Sequence, residues 1–297
     1  MPEPSNPNPW HRFWPFAILC LLASIVWLLL DRFPQITFTP SSDALGCAIA
    51  AIIALAAALR TARPSMPETL RCGFAGTLVL AGSSAGIFFH ASSVEGGSLA
   101  IALSLTPVVI VVTESALGNE ELSSSRLWPG LAAAIALLLV LPVPSVTNLS
   151  SDAALALAPI LTGVGCVLFR RSRVTVAWKA ASGFTGATVL FGLGTLAESL
   201  SQRTFPKISP AALAIDTLLF VLAILALNRL TASQYASHYA LAPLLILLQG
   251  PLLLHLVVTW RSVACAVLLV SSAIALLRSG SSEKVSKEGL EDHSLRG

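Results

Sequence analysis

The sequence predicts an all-α polytopic membrane protein whose ten transmembrane helices form two inverted five-helix repeats. Three observations predict it. Hydrophobic residues fill 55% of 297 positions and charged ones only 11%, against about 25% charged in soluble domains, so a soluble chain could not hide this much apolar surface. Ten apolar runs follow one another at 14–30, 43–60, 72–91, 97–117, 128–144, 152–169, 175–197, 211–228, 233–254 and 259–278, most of them near the roughly 20 residues a helix needs to cross hydrocarbon. Finally, Pro107 breaks the fourth run and Pro243 the ninth, 136 positions apart, close to half the chain.

Residues 1–13 hold Pro, Asn and Ser without a Lys/Arg run, and the span after them ends in Asp31-Arg32 with no small-residue cleavage site, which reads as a retained helix. Spans one to five make a first repeat over 14–145. Its fourth span carries Thr106-Pro107 mid-way, a polar hinge Gly118-Asn119-Glu120-Glu121-Leu122-Ser123 follows, and Trp128 opens the fifth. A proline inside a helix removes one backbone hydrogen bond, and in lipid such a defect survives only where protein or a wet cavity covers it. Pro107 and Pro243 are therefore expected to be helix hinges facing the interior. Spans six to ten form a second repeat over 150–278, and the Ser-, Lys- and Glu-rich stretch 279–297 reads as a disordered tail. Five spans is an odd number, so the second repeat enters the membrane from the opposite side, a plan common among secondary transporters.

Charge placement orients the chain. With the N-terminus inside, cytoplasmic segments hold fourteen of the Lys and Arg residues and outer segments four, which sets both termini in the cytoplasm. No basic patch suggests nucleic acid. Cys20, Cys47, Cys72, Cys166 and Cys265 fall singly; neither a disulfide framework nor a metal site follows, and they read as small packing residues.

Ionisable and polar groups inside spans are the functional candidates. Tyr235, His238 and Gln249 lie three and eleven positions apart, nearly one helical face, and make a polar stripe past Pro243 that could hydrogen-bond a solute. Ser104 and Thr106 flank Pro107. Glu114 shares that face and is a proton-coupling candidate, with an interfacial charge the plainer reading. Asp216, inside span eight with no basic partner in the sequence, is a second proton-coupling candidate. Lys179 is expected to snorkel to headgroups. Gly82-Ser83-Ser84-Ala85-Gly86 formally matches G-x-S-x-G, with His90 nearby. A nucleophile elbow needs a strand-to-helix turn, so small residues for close helix packing is the stronger reading; Ser84 and His90 stay as candidate cavity residues.

The Ala102-Leu103-Ser104-Leu105-Thr106-Pro107-Val108 run, the Gly118-Asn119-Glu120-Glu121 hinge, Trp128-Pro129-Gly130, the Arg170-Arg171 pair and Trp27 resemble the drug/metabolite transporter superfamily, EamA-like branch. In the second half Pro251 and His255 stand where that pattern carries Gly and Glu. The resemblance implies a central cavity lined by spans three, four, eight and nine, no bound cofactor, and efflux of a small organic solute across the plasma membrane, the inner membrane in a bacterium. Expected partners are that solute, the lipid bilayer, a coupling proton or ion and a second copy of the chain as a homodimer. A lipid-carrier flippase of the same fold is the alternative, and a membrane-embedded enzyme using Ser84 or His238 a weaker one.

Overall fold

The computed structural model describes residues 10–30, 39–84, 96–118, 122–141, 149–202, 208–255 and 257–294, and among them it holds helices and no strand. In chain order these are α1 (Trp10–Leu30), α2 (Pro40–Ala58), α3 (Met66–Ser83), α4 (Gly96–Ser104), α5 (Thr106–Ala116), α6 (Ser124–Leu138), α7 (Leu149–Arg171), α8 (Val176–Gln202), α9 (Pro210–Arg229), α10 (Ala232–Ala236), α11 (His238–Leu254) and α12 (Trp260–Ser294). Among the described residues seven helices, counting the broken pairs α4/α5 and α10/α11 once each, are long and apolar enough to cross a membrane. The chain is built as a multi-pass membrane protein. Ile52, Phe74, Val189 and Leu252 point outward, as large apolar groups do where the solvent is lipid.

Local sequence sets the helix starts. Proline stands in the first turn of α2, α3, α5 and α9, where its missing N–H would lack an intrahelical partner anyway. Thr39 caps α2 through a reciprocal bond with Ser42, and Thr231 caps α10 through one with Gln234. Gly118 ends the stretch after α5 at φ 70°, a backbone shape that glycine adopts freely.

The core centres on α3, which packs on α7 and α8, while α8 also carries α2. Two glycines allow the α3–α8 approach: a Cβ built on Gly76 would stand 2.6 Å from the Cα of Gly183. Around this centre α1 packs on α9 and α11, α9 on α2, and α6 on α12. All five cysteines are free and buried in helix packing.

Three features depart from the sequence expectation. The interruption near Pro107 falls at Leu105, but its counterpart falls at Ser237; Pro243 lies inside a continuous α11. The cause is local: Ser237 turns its N–H and its hydroxyl onto the Gln234 carbonyl, at 3.2 and 2.6 Å, tightening the turn there. Next, α12 continues to Ser294 through the stretch read as a disordered tail, because extending an existing helix needs no new nucleus. Lys179, expected to snorkel outward, is buried with its ammonium 3.2 Å from the Phe169 carbonyl and over the Phe169 ring. That carbonyl is in the last turn of α7, where carbonyls lack helical partners.

Candidate functional site

The two broken helices meet on α7. That helix packs on α4, α5 and α10, and across it α5 contacts α10 and α4 contacts α11. A serine marks each break: Ser104 donates its hydroxyl to the Ile101 carbonyl and Ser237 to the Gln234 carbonyl, both at 2.6 Å and both fully buried. Such back-bonding diverts a carbonyl from the regular ladder and loosens the helix.

α7 offers the breaks a face of small residues. A Cβ on Gly163 would lie 3.3 Å from the Thr106 carbonyl, so α5 sits close against the backbone there. The neighbouring Thr162 donates to the Ala158 carbonyl at 2.8 Å and faces the Tyr239 ring hydroxyl. One turn on, Cys166 lies beside both Tyr235 and Tyr239. Thr106, Thr162, Tyr235 and Tyr239 therefore share one buried level of the bundle.

His238 completes this level. Its ring lies 4.7 Å from that of Tyr235 and 3.7 Å from that of Tyr239, centre to centre, and Nδ1 is 2.7 Å from the Tyr235 carbonyl. A carbonyl only accepts, so Nδ1 carries the proton, and in the neutral ring Nε2 remains an acceptor. The Thr106 hydroxyl and the Tyr239 hydroxyl are buried without a full hydrogen bond among the described residues. Buried polar atoms are nearly always paired, so these two hydroxyls have hydrogen-bonding capacity to offer a solute.

A second polar cluster sits one turn into α2 and α9. Asp43 and Asp216 are both buried, and their carboxyls are in hydrogen-bond contact with each other. The Ser42 hydroxyl is 2.8 Å from Asp216 Oδ2, and Ser84 bonds to Asp43. Asp216 had been singled out in the sequence; Asp43 and Ser42 had not. The first turn after Thr39-Pro40 is an ordinary place for an acid, so only the missing basic residue nearby could have drawn notice.

The other candidates are dispersed. Gln249 is on the His238 face of α11 but about 16 Å along the axis, where Ser24 of α1 reaches it at 3.4 Å. Glu114 pairs with Arg126 at 3.4 Å. Ser84 belongs to the acid cluster, Ser83 bonds its own helix at the Leu80 carbonyl, and a Cβ on Gly82 would collide with Thr162, so the glycine there serves helix contact. His90 and residues 119–121 of the hinge lie outside the described residues. Among the described residues no three His, Cys, Asp or Glu come together to hold a metal.

Sequence reasoning also missed Gln234, which is buried and gathers one end of the bundle. It accepts from Arg12 at 3.1 Å and from the Thr231 amide at 3.2 Å, and donates to the Leu277 carbonyl at 2.9 Å. An open groove of about 590 Å³ runs between α2 and α8 past Ser41, Ala48, Thr188, Leu193 and Thr195. Its hydroxyls are spent on Thr39 and on backbone carbonyls, so it presents an apolar wall.

No family model and no curated protein matches the chain. A solved structure does. This crystal structure of a protein is 18% identical and superposes with a TM-score of 0.63, covering 87% of this chain and 96% of that one. At that identity the likeness concerns the fold alone.

Proposed function

We propose that the chain is a secondary carrier of a small organic solute, working by alternating access, with ten spans in two inverted repeats and both termini in the cytoplasm. The observation that carries this reading is the meeting of two broken helices at α7 around the buried, unpaired hydroxyls of Thr106 and Tyr239. Broken helices at the junction of two repeats are where transporters of inverted design hold their solutes. The level is aromatic and hydroxylic, with His238 and Cys166 beside the tyrosines, which suits a solute recognised by hydrogen bonds and ring stacking. Export across the plasma membrane follows from the resemblance to EamA-like transporters.

The test is a thermal-shift screen of purified protein in detergent against amino acids, nucleosides, polyamines and cationic drugs. A ligand that binds the folded state raises Tm by mass action. A class-selective rise that vanishes in Thr106→Val and Tyr239→Phe is expected. A rise that both variants keep would remove this site from the reading. The apolar groove between α2 and α8 favours a second reading, a lipid-carrier flippase, and a Tm rise with isoprenoid phosphates alone would select it.

A further inference from the structure

We propose that Asp43 and Asp216 hold one exchangeable proton between them and that this shared proton latches α2 to α9. The coupling of that latch to solute movement rests on the carrier reading; the proton itself does not.

The argument is a count of hydrogens. Two carboxylates are both acceptors, so a hydrogen bond between the Asp43 and Asp216 carboxyls requires a proton on one of them. Ser42 cannot supply the deficit. Its hydroxyl has one hydrogen and two acceptors in reach, Asp216 Oδ2 at 2.8 Å and the Thr39 carbonyl at 2.9 Å, while its oxygen already accepts from the Thr39 amide at 3.1 Å. One proton on either carboxyl supplies the bond between them, and Ser42 keeps its single hydrogen for Asp216 Oδ2 or the Thr39 carbonyl. A separate observation comes from Asp43: its Oδ2 is buried, with no partner among the described residues, in a side chain 1% exposed. An acceptor this buried is left unfilled until the shared proton supplies a donor.

Among the described residues, no cation of the helices packed against the pair lies beside it. On the elements packed against the pair, the other titratable groups are Cys47 on α2, which feels both carboxyls, Glu198 on α8, Asp152 on α7, and Cys20 on α1. The cations of those helices, Arg12, Lys179, Arg170, Arg171 and Arg229, lie at the opposite ends, where Arg12 meets the Arg229 carbonyl, Arg170 the Asn228 carbonyl and Arg171 the Leu117 carbonyl. When the shared proton leaves to water, two carboxylates remain in contact, and like charges repel strongly where the dielectric is low. α2 and α9 then part; rebinding of a proton draws them together. Asp43 belongs to the first proposed repeat and Asp216 to the second, so the latch spans the two bodies that would rock.

Infrared spectroscopy of the purified protein tests this with the proton as its own probe. At neutral pH, where surface carboxyls are ionised, the wild type should show a protonated-carboxyl C=O band that shifts in D2O and is lost on raising the pH. The band should be absent from Asp43→Asn and from Asp216→Asn, whose amides can donate in place of the proton and preserve the fold. Ser42→Ala should move the band and the pH of its loss without abolishing it. Absence of the band in wild type, or its persistence in both Asn variants, would overturn the proposal. No solute enters this experiment, so its result stands apart from the outcome of the ligand screen.

Discussion

Replacing Gly76 by alanine sets the packing of α3 on α8 against intrinsic helix preference. The added methyl would lie 2.6 Å from the Gly183 Cα, about 0.8 Å short of the 3.4 Å at which ordinary contact begins. Both partners are backbone, so no side chain can rotate away and the helices must separate. A gap of 0.5–1 Å forfeits roughly a quarter to a half of each dispersion contact along the seam, and overpacking of this kind costs about 1–3 kcal/mol. Against it stands the gain of about 0.5–1 kcal/mol from replacing a helical glycine. Gly192 supplies the control, since it lies on α8 with nothing within 4 Å of an added Cβ. Its alanine variant should gain the propensity term alone. The difference between the two variants cancels that term and should be about 1–3 kcal/mol, read as a lower Tm for Gly76→Ala by size-exclusion thermostability in one detergent. Equal Tm values would refute the close approach of α3 and α8.

Other substitutions follow from individual side chains. Gln234→Ala removes three hydrogen bonds of roughly 1 kcal/mol each, so a loss of about 3 kcal/mol is expected in the same assay; a change within error would show that the ties among α1, α10 and α12 contribute nothing. Glu114→Gln should change stability by less than about 1 kcal/mol, because its pair with Arg126 is about a fifth exposed on each side; a larger loss, or abolished solute binding, would return Glu114 to the list of coupling acids. Gln249→Leu gives up one long bond to Ser24 and should leave any solute-induced Tm rise intact, whereas Tyr239→Phe should remove it.

The apolar runs were legible because lipid imposes a length and a composition on anything that crosses it, and among the described residues seven helices meet both demands. Position along a helix was less legible than position around it. His238 and Gln249 do share a face of α11, yet one joins the α7 level and the other meets α1, a difference in height that residue spacing states only once the site's own level is known. Pro107 announced a break because proline acts on its own helix. Ser237 did not, since a serine breaks a helix only when its hydroxyl captures a carbonyl, as here at Gln234. The acid pair was half visible: Asp216 stood out as a lone carboxyl, but its partners lie in α2, Ser42 being 174 positions away, and contacts at that separation belong to tertiary packing. Lys179 likewise found a carbonyl of the preceding helix that no periodicity predicts.

The burial of Cys20, Cys47, Cys72, Cys166 and Cys265 makes the native chain a ready background for chemical labelling. No thiol of its own meets a water-borne maleimide, so one introduced cysteine becomes the sole reactive handle without first stripping five residues from the helix packing. Arg63, between α2 and α3, and Val257, between α11 and α12, are both exposed, and the proposed inverted arrangement puts them on opposite faces of the membrane. An impermeant reagent applied to intact cells should then mark Val257→Cys and spare Arg63→Cys until the cells are opened.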